Sequence, residues 1–440
     1  MKLDAIRGCF EGVVPGTMAT ASLDGTPNVS YLSQVQFVDG DHVALTYQFF
    51  NKTRANLLAN PHAVLAVVDP VTAAHYRLSL EFLRTETAGP LFESMKAKLA
   101  GIASHVGMSG VFQLLGADVF RVHALEQVPG CTLPAQPERN LLSALRRTLD
   151  RIRAQRDLEQ LLADTLEALA VEWDIGHAMA LLYDAPGQRL YTLASRGYEV
   201  SGVGSEIALG DGVIGVAARE RTPIRISHMS SEYAYNRTIR DNAQNKGLDA
   251  LETAIPLPGL RQSRSQLAVP MVAADRLIGV LYVESPLDLR FTYDDEDALV
   301  ALAAQLALTI HLLQSAPDTP DDGQCPAGET TRAPGEPIAV CHYPENDSVF
   351  LDDEYLIKGV AGSIFMALVR DHLESGRSEF SNRALRLDPR VRLPDLSDNL
   401  EARLLLLSRR LAERDAGVRI EKTGRGRFRL HAQRPLLLIS

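Results

Sequence analysis

The stretch from Gln266 to Leu313 constrains the fold most, because two apolar runs lead directly into a long apolar helix. Val, Ile and Leu dominate both runs, and Ala274-Asp275-Arg276 between them predicts a hairpin turn. Thr292 and Asp295 have the spacing of a capping box, which predicts where the helix starts. The helix should bury one face, because apolar residues recur every three or four positions. These residues are Leu299, Leu302, Leu306, Ile310 and Leu313.

This order resembles the C-terminal half of GAF domains, the small-ligand sensing modules of signalling proteins. Family patterns match Leu267–Pro270, Leu277–Ser285 and Phe291–Asp295, and Leu209–Ala217 agrees upstream. The resemblance covers residues 158–314 and implies an α/β/α sheet domain that binds an unidentified small ligand. A lone histidine in such a region is more often structural than a ligand-binding residue. The residues expected to line the pocket are Trp173, His177, Tyr183 and Tyr191, with Tyr233 and Tyr235 in an insertion that would cover the ligand.

Residues 1–130 alternate short strand-forming runs with Asp-Gly turns, which predicts antiparallel hairpins and a small barrel. The layout resembles the split-barrel flavoproteins of the pyridoxamine phosphate oxidase-like family. In that family a short helix grips the FMN phosphate, and the matching positions here are Lys52, Thr53, Arg54 and Asn56. The start of a helix suits an anion, because its N–H groups are unpaired. An alternative is that Lys52 and Arg54 belong to a solvated helix start.

Two departures from that family argue against vitamin oxidation. The run Tyr31–Phe37 holds no Lys or Arg, and Arg121-Val122-His123 lacks the second arginine of the substrate signature. The resemblance therefore implies FMN binding without that activity, and no side chain is assigned a catalytic role.

Length and composition predict about three domains in a reducing cytoplasm. The chain has 440 residues, and its four cysteines lie far apart, with no zinc-binding spacing. Met1–Arg7 lacks the apolar segment of a signal peptide, and the apolar run Ala298–Leu313 is shorter than a membrane span. No membrane association is expected.

Residues 139–170 contain no Gly or Pro and predict a connecting helix. An apolar seam steps through Leu142, Leu145, Leu149 and Ile152 at spacings of three and four. Two interpretations remain open for it: a parallel coiled coil that forms a homodimer, and a helix packed on the following domain.

Residues 315–347 are rich in Pro and Gly and predict a flexible linker, and residues 348–440 predict a hairpin, three helices and a second hairpin. This order, with the ending Thr423–Leu430, resembles the winged-helix output domain of two-component response regulators. The resemblance implies that the third helix reads DNA, whereas the wing contacts phosphates. The residues expected on or beside the helix are Arg403, Arg409 and Arg410, and those on the wing are Lys422, Arg425 and Arg427.

Charge supports a DNA-binding C-terminal unit, and one feature of the third helix argues against it. Residues 361–440 hold 16 Lys and Arg against 10 Asp and Glu, whereas the rest holds 29 against 45. However, Leu404–Leu407 stand where a DNA reader would present polar side chains. Some of these leucines must lie on the outer face or meet a partner. A protein-interaction or dimerisation module therefore stays open.

The sequence thus predicts a multidomain α+β protein with a split β-barrel, a GAF domain and a winged helix. The leading hypothesis is a cytoplasmic, homodimeric sensory regulator of transcription, in which a small ligand or a flavin redox signal controls DNA binding. The alternatives are an FMN-dependent oxidoreductase with regulatory modules and a ligand-gated interaction scaffold.

Overall fold

The computed structural model describes most of the chain. The described residues are 2–10, 14–32, 34–47, 51–89, 91–96, 114–134, 139–226, 255–315, 336–391, 393, 400–424 and 426–439. They form four β-sheets with flanking helices.

A seven-stranded antiparallel sheet forms the N-terminal barrel. Its strands are β1 (Gly16–Ala21), β2 (Pro27–Leu32), β3 (Val35–Asp39), β4 (His42–Tyr47), β5 (His62–Val68), β6 (His75–Glu86) and β7 (Gly116–Val128), with helix α1 (Asn51–Ala59) between β4 and β5. The spatial order is β2-β1-β5-β6-β7-β4-β3. Buried and exposed residues alternate along β5, so that one face of the sheet encloses a core containing Leu65, Leu78 and Phe120. A 3₁₀ helix, Leu3–Phe10, packs on this core.

The central domain is a six-stranded antiparallel sheet between helices. Its strands are β8 (His177–Asp184), β9 (Arg189–Arg196), β10 (Glu206–Ala208), β11 (Ile224–Ile226), β12 (Ser265–Ala273) and β13 (Arg276–Ser285), and its helices are α2 (Leu141–Ile152), α3 (Leu158–Trp173), α4 (Gly212–Glu220) and α5 (Tyr293–Ser315). The order is β10-β9-β8-β13-β12-β11. Helices α2, α3 and α5 pack on one sheet face, which we call the helix face, and α4 packs on the opposite face, the α4 face.

The predicted hairpin and helix start are confirmed in the central domain. Strands β12 and β13 pair in antiparallel register, and Ala274 and Asp275 adopt positive φ angles of 46° and 60° between them. Thr292 N and Asp295 N–H complete the capping box at the start of α5, because each bonds the side chain of the other residue at 2.9 and 3.4 Å.

The C-terminal unit contains two small sheets around three helices of the described residues. Its strands are β14 (Ile338–Tyr343), β15 (Ser348–Leu351), β16 (Glu354–Ile357), β17 (Glu379–Ser381), β18 (Val418–Gly424), β19 (Arg427–Ala432) and β20 (Leu436–Ile439), and its helices are α6 (Gly359–Ser375), α7 (Asn382–Leu387) and α8 (Leu400–Arg414). One sheet has the order β16-β15-β14-β20 and the other β17-β19-β18. Helix α6 ends at Gly376, whose φ of 68° is the left-handed conformation that closes many helices.

Two predicted segments differ from the structure. The helix expected over 139–170 is two helices, because Asp157 caps α3 by accepting from the amides of Glu159 and Gln160. The seam on α2 does not face one partner: Leu142 is 77% exposed, whereas Ile152 is buried in the central core. A helix packed on the following domain therefore describes α2.

The linker predicted over 315–347 also includes a β-strand near its C-terminal end. Strand β14 lies inside the range 315–347 and pairs with β15 and, in parallel, with β20. Residues 316–335, the Pro-rich part, lie outside the described residues.

By length and composition, α5 is the one helix in the described parts of the chain that could cross a membrane. Leu299, Leu302, Leu306 and Ile310 are fully buried against the sheet of the central domain. These contacts are those of a core helix.

Candidate functional site

The barrel-facing side of α1 carries three of the four residues predicted to bind FMN. Thr53 is buried and its hydroxyl accepts a hydrogen bond from Asn28 Nδ2 at 2.9 Å. Asn56 is also buried and donates through Nδ2 to the Thr20 hydroxyl at 3.1 Å. Lys52, the fourth residue, is exposed at the start of the helix. The buried polar groups of α1 therefore hold the helix on β1 and β2.

Arg54 forms an ion pair with a buried carboxylate. Its Nη1 lies 2.8 Å from Asp118 Oδ1, its Nη2 donates to the Thr85 hydroxyl at 2.9 Å, and its guanidinium stacks 4.2 Å from the centre of the Tyr47 ring. Asp118 is 6% exposed and also accepts from the Thr85 hydroxyl. The charge of Arg54 is thus compensated within the barrel.

The described residues do not fit an FMN phosphate as they stand. The cavity beside Thr53, Arg54 and Asp118 has a volume of about 10 Å³, room for one water. Asp118 would repel a phosphate, and Thr53 and Asn56 already have partners. Lys52 is the one of the four predicted residues whose side chain is exposed.

The residues predicted to line the GAF pocket lie on both faces of the central sheet. Trp173 is buried on the helix face, where its indole N–H donates to Thr148 at 2.8 Å. Tyr191 is buried on the same face beneath the guanidinium of Arg403, at 4.8 Å from the ring centre. Tyr183 packs on the α4 face. These three aromatic residues therefore cannot surround one ligand.

His177, another predicted pocket residue, lies next to the buried polar residue Glu284 on the α4 face. It lies opposite Glu284 in the pairing of β8 with β13, and its ring centre is 5.6 Å from that of Tyr198. Tyr233 and Tyr235 lie outside the described residues.

Sequence reasoning missed the buried carboxylate of Glu284. This residue is 1% exposed, and its side chain accepts from Leu260 N at 3.0 Å and from the Tyr282 hydroxyl at 3.4 Å. Gln266, also 1% exposed, lies opposite it in β12. No cation among the described residues lies within ion-pair distance of Glu284. An acidic residue inside an apolar strand was the signal available in the sequence.

Of the three arginines predicted to read DNA, Arg403 and Arg410 are buried between α8 and its neighbours, and Arg409 is half-buried. Arg403 Nη2 lies 2.5 Å from Asp184 Oδ1 of β8, and Arg409 Nη1 donates to the Leu193 carbonyl at 2.6 Å. Burial lowers the pKa of Arg409 from its ordinary value. Arg410 is 6% exposed and donates to the carbonyl of Leu356 at 3.1 Å. Arg403 and Arg410 therefore do not present their guanidinium groups to solvent in this arrangement, and Arg409 is only partly covered.

The predicted wing residues lie on the β18–β19 hairpin. Lys422 forms an ion pair with Asp157, the cap of α3. Arg427 is half-buried on β19, and Arg425 lies outside the described residues.

Comparison with protein-family models identifies the first two domains. Residues 3–126 match the family described as pyridoxamine 5'-phosphate oxidase, and residues 155–311 match the GAF domain. The chain therefore contains a pyridoxamine phosphate oxidase-like N-terminal domain and a central GAF domain. The comparison with curated proteins gave no significant match.

Solved structures similar to parts of the chain include a GAF domain, a methionine sulfoxide reductase and an FMN-binding protein. The GAF domain of an Acinetobacter phosphoenolpyruvate-protein phosphotransferase is 22% identical over 41% of this chain and 99% of its own, with a TM-score of 0.32. The free methionine-R-sulfoxide reductase of Neisseria meningitidis is 20% identical over 40% and 92%, with a TM-score of 0.30. An FMN-binding protein from Syntrophomonas wolfei is 19% identical over 29% and 86%, with a TM-score of 0.26.

Proposed function

We propose that this protein is a cytoplasmic sensory regulator in which a small molecule bound by the GAF domain controls a nucleic acid-binding C-terminal unit. The buried polar groups on the α4 face carry the sensory half of the proposal. Glu284 and Gln266 face each other there without solvent, and His177 lies opposite Glu284 on the other side. A buried carboxylate is costly unless a donor or a cation meets it. Leu260 N and the Tyr282 hydroxyl already donate to Glu284. The ligand we infer adds a cation or a further donor, because an ionised carboxylate can accept about four hydrogen bonds.

Replacing Glu284 by glutamine tests the ligand site, because the shape is kept and the charge is lost. We expect the amount of small molecule that copurifies with the full chain to fall by about tenfold or more, since a hydrogen bond to a charged group contributes about 1.5–3 kcal/mol. Native mass spectrometry of the variant and the wild type measures this. Glu199→Gln, an exposed glutamate of the same domain, is the matched control. Equal occupancy in Glu284→Gln and wild type would contradict the proposal.

The proposed output is a winged helix that binds duplex DNA through α8 and the β18–β19 hairpin. The unit contains the predicted hairpin, three helices and second hairpin, with strands β14, β17 and β20 in addition. The β18–β19 hairpin carries Lys422 and Arg427 on an arginine-rich chain segment. Cations on a hairpin edge contact phosphates irrespective of sequence, whereas a helix in the major groove reads bases. The sensor then acts on transcription by changing the affinity of this unit for DNA.

We further propose a homodimer, formed through the outer face of the barrel. Val29 and Tyr31 on β2 are 63% and 76% exposed, and Val29 lies opposite Ala19, which in turn pairs with Val64. A contiguous apolar sheet face of this kind usually contacts a partner. The mass of the particle in solution tests this part of the proposal.

FMN binding, and with it the alternative oxidoreductase function, requires Arg54 to exchange Asp118 for the phosphate. We therefore expect Asp118→Asn to bind FMN more than tenfold tighter than the wild type, because the freed guanidinium gains a charged partner worth about 1.5–3 kcal/mol. Quenching of FMN fluorescence measures the affinity, and Glu126→Gln, an exposed glutamate on the same strand, is the control.

The outcomes of the FMN titration separate the two roles of the barrel. Failure of both the wild type and Asp118→Asn to bind FMN would remove the flavin from the proposal. Binding with oxidation of NAD(P)H would favour the oxidoreductase, with the flavin supplying the redox chemistry.

A further inference from the structure

The C-terminal helix α8 is covered on two sides. Its four consecutive leucines are half-buried at Leu404 and no more than 5% exposed at Leu405, Leu406 and Leu407. Consecutive helical residues point about 100° apart, so these four project around most of the helix. One packing surface cannot cover such a spread. Helix α6 and strand β18 of the same unit cover one side, and the GAF domain covers another.

The contacts with the GAF domain run along the whole length of α8. Arg403, in its first turn, pairs with Asp184 and lies over Tyr191. Arg409, two turns further, donates to the carbonyl of Leu193 in β9. Near the end of the helix, Glu413 accepts from the hydroxyl of Ser201.

Two further ion pairs of described residues join the C-terminal unit to the GAF domain with the same polarity. Lys422 of the β18–β19 hairpin pairs with Asp157, and Lys358, before α6, pairs with Glu206 at 3.0 Å. In each of these three pairs between described residues the GAF domain supplies the carboxylate and the C-terminal unit supplies the cation. Carboxylates and phosphates use the same donors of arginine and lysine. The GAF surface thus holds Arg403, Arg409 and Lys422, three of the cations predicted to contact DNA.

We propose that docking of α8 on the GAF domain and binding of α8 to duplex DNA are mutually exclusive, so that the structure shows the inhibited state of the protein. This inference rests on the proposed function of the C-terminal unit. The interface is suited to opening, because ion pairs contribute to it and it includes an open cleft of about 590 Å³ between α3, β9 and α8. A signal that separates the two surfaces frees Arg403, Arg409 and Lys422 at once.

Asp184→Lys in the full chain tests the inference from the GAF side, which leaves α8 unchanged. The added cation repels Arg403, so that hydrogen exchange of the α8 amides should rise and the affinity for duplex DNA at low salt should increase at least tenfold over the wild type. Glu126→Lys on the exposed side of β7 changes the net charge equally and should behave as the wild type. Asp184→Lys combined with Glu206→Lys is the second variant, because it breaks two of the pairs.

Each outcome decides between the inference and the proposed function. If α8 opens and the wild type already binds DNA as tightly as the variant, mutual exclusion is overturned and the DNA-binding function stands. If α8 opens and neither protein binds duplex DNA, the DNA-binding function fails, and the inference fails with it. If neither variant raises exchange in α8, these ion pairs do not hold the interface and the inference is overturned.

Discussion

Replacing Asp295 by alanine should lower the free energy of unfolding of the GAF domain by about 3–5 kcal/mol, the usual cost of removing one partner of a buried ion pair. The Asp295 side chain is fully buried, 2.5 Å from Arg139 and 3.5 Å from Arg290. It also accepts from the amide and the hydroxyl of Thr292, both at 2.9 Å. The substitution therefore leaves Arg290 without its carboxylate and α5 without its cap at the same time.

The burial of Arg290 increases the free-energy cost of removing Asp295. Its guanidinium is largely buried and donates to the carbonyls of Trp173 and Asp174 at 2.6 and 2.8 Å, which fixes the end of α3. Burial lowers the pKa of Arg290, the neighbouring Arg139 lowers it further, and Asp295 acts in the opposite direction. Without Asp295 the like charges of Arg139 and Arg290 remain close together, and the buried guanidinium of Arg290 is poorly solvated.

Urea unfolding followed by tryptophan fluorescence measures the effect in one domain, because Trp173 is the only tryptophan and is buried in the GAF core. Asp294→Ala is the matched control, since Asp294 is 77% exposed and lies 3.5 Å from Arg7. A surface pair of this kind contributes about 0–1 kcal/mol. Equal midpoints for the two variants would show that the buried pair does not stabilise the domain.

Local signals in the sequence predicted the elements around Asp295 but not the packing of whole faces. A capping box and a hairpin turn involve residues within three positions, so Thr292, Asp295 and Asp275 could be interpreted without knowledge of the fold. The break between α2 and α3 was equally local, because Asp157 followed by Gln160 is a helix-start pattern, and it was missed in a stretch free of Gly and Pro.

The candidate pocket depended on which sheet face each side chain occupies. Tyr183 and Tyr191 both come from apolar strands that are buried on two sides, and such strands give no alternation from which to infer a face. A bulge between Ala180 and Leu181 shifts the pairing of β8 with β9 further. The sequence therefore predicted the strands that carry these residues, but not the sheet face on which each side chain lies.

The contacts of the arginines of α8 could not be predicted from the sequence for a different reason. Arginine-rich composition and helix order indicated a cationic reader, and both describe the C-terminal unit alone. The partner of Arg403 is Asp184, 219 positions earlier, and no local pattern connects the two. The run Leu404–Leu407 argued against a DNA-reading helix in the sequence, because it is too apolar for a helix with a solvated face.

Tyr293→Ala should release the barrel from the GAF domain. Tyr293 is the first residue of α5, yet its ring is buried in the barrel core, 6.2 Å from Phe37, and its hydroxyl donates to the Phe10 carbonyl at 3.2 Å. Truncating a buried aromatic residue costs about 3–5 kcal/mol. Because each 1.4 kcal/mol is a factor of about ten, hydrogen exchange in Leu3–Phe10 should become more than 100-fold faster where opening of this contact limits exchange.

Two arginines make the contact specific to the aromatic ring. Arg7 of the barrel and Arg225 of β11 lie 5.0 and 4.2 Å from the ring centre of Tyr293. Tyr293→Phe keeps the ring and loses one hydrogen bond, so it should cost only about 1 kcal/mol. Unchanged exchange in Tyr293→Ala would mean that the exposed pair of Arg7 with Asp297 holds the two domains together. Fast exchange in the alanine variant alone would make the ring of Tyr293 the physical link between the barrel and the first turn of α5, and hence the route by which a change in the barrel reaches the GAF core.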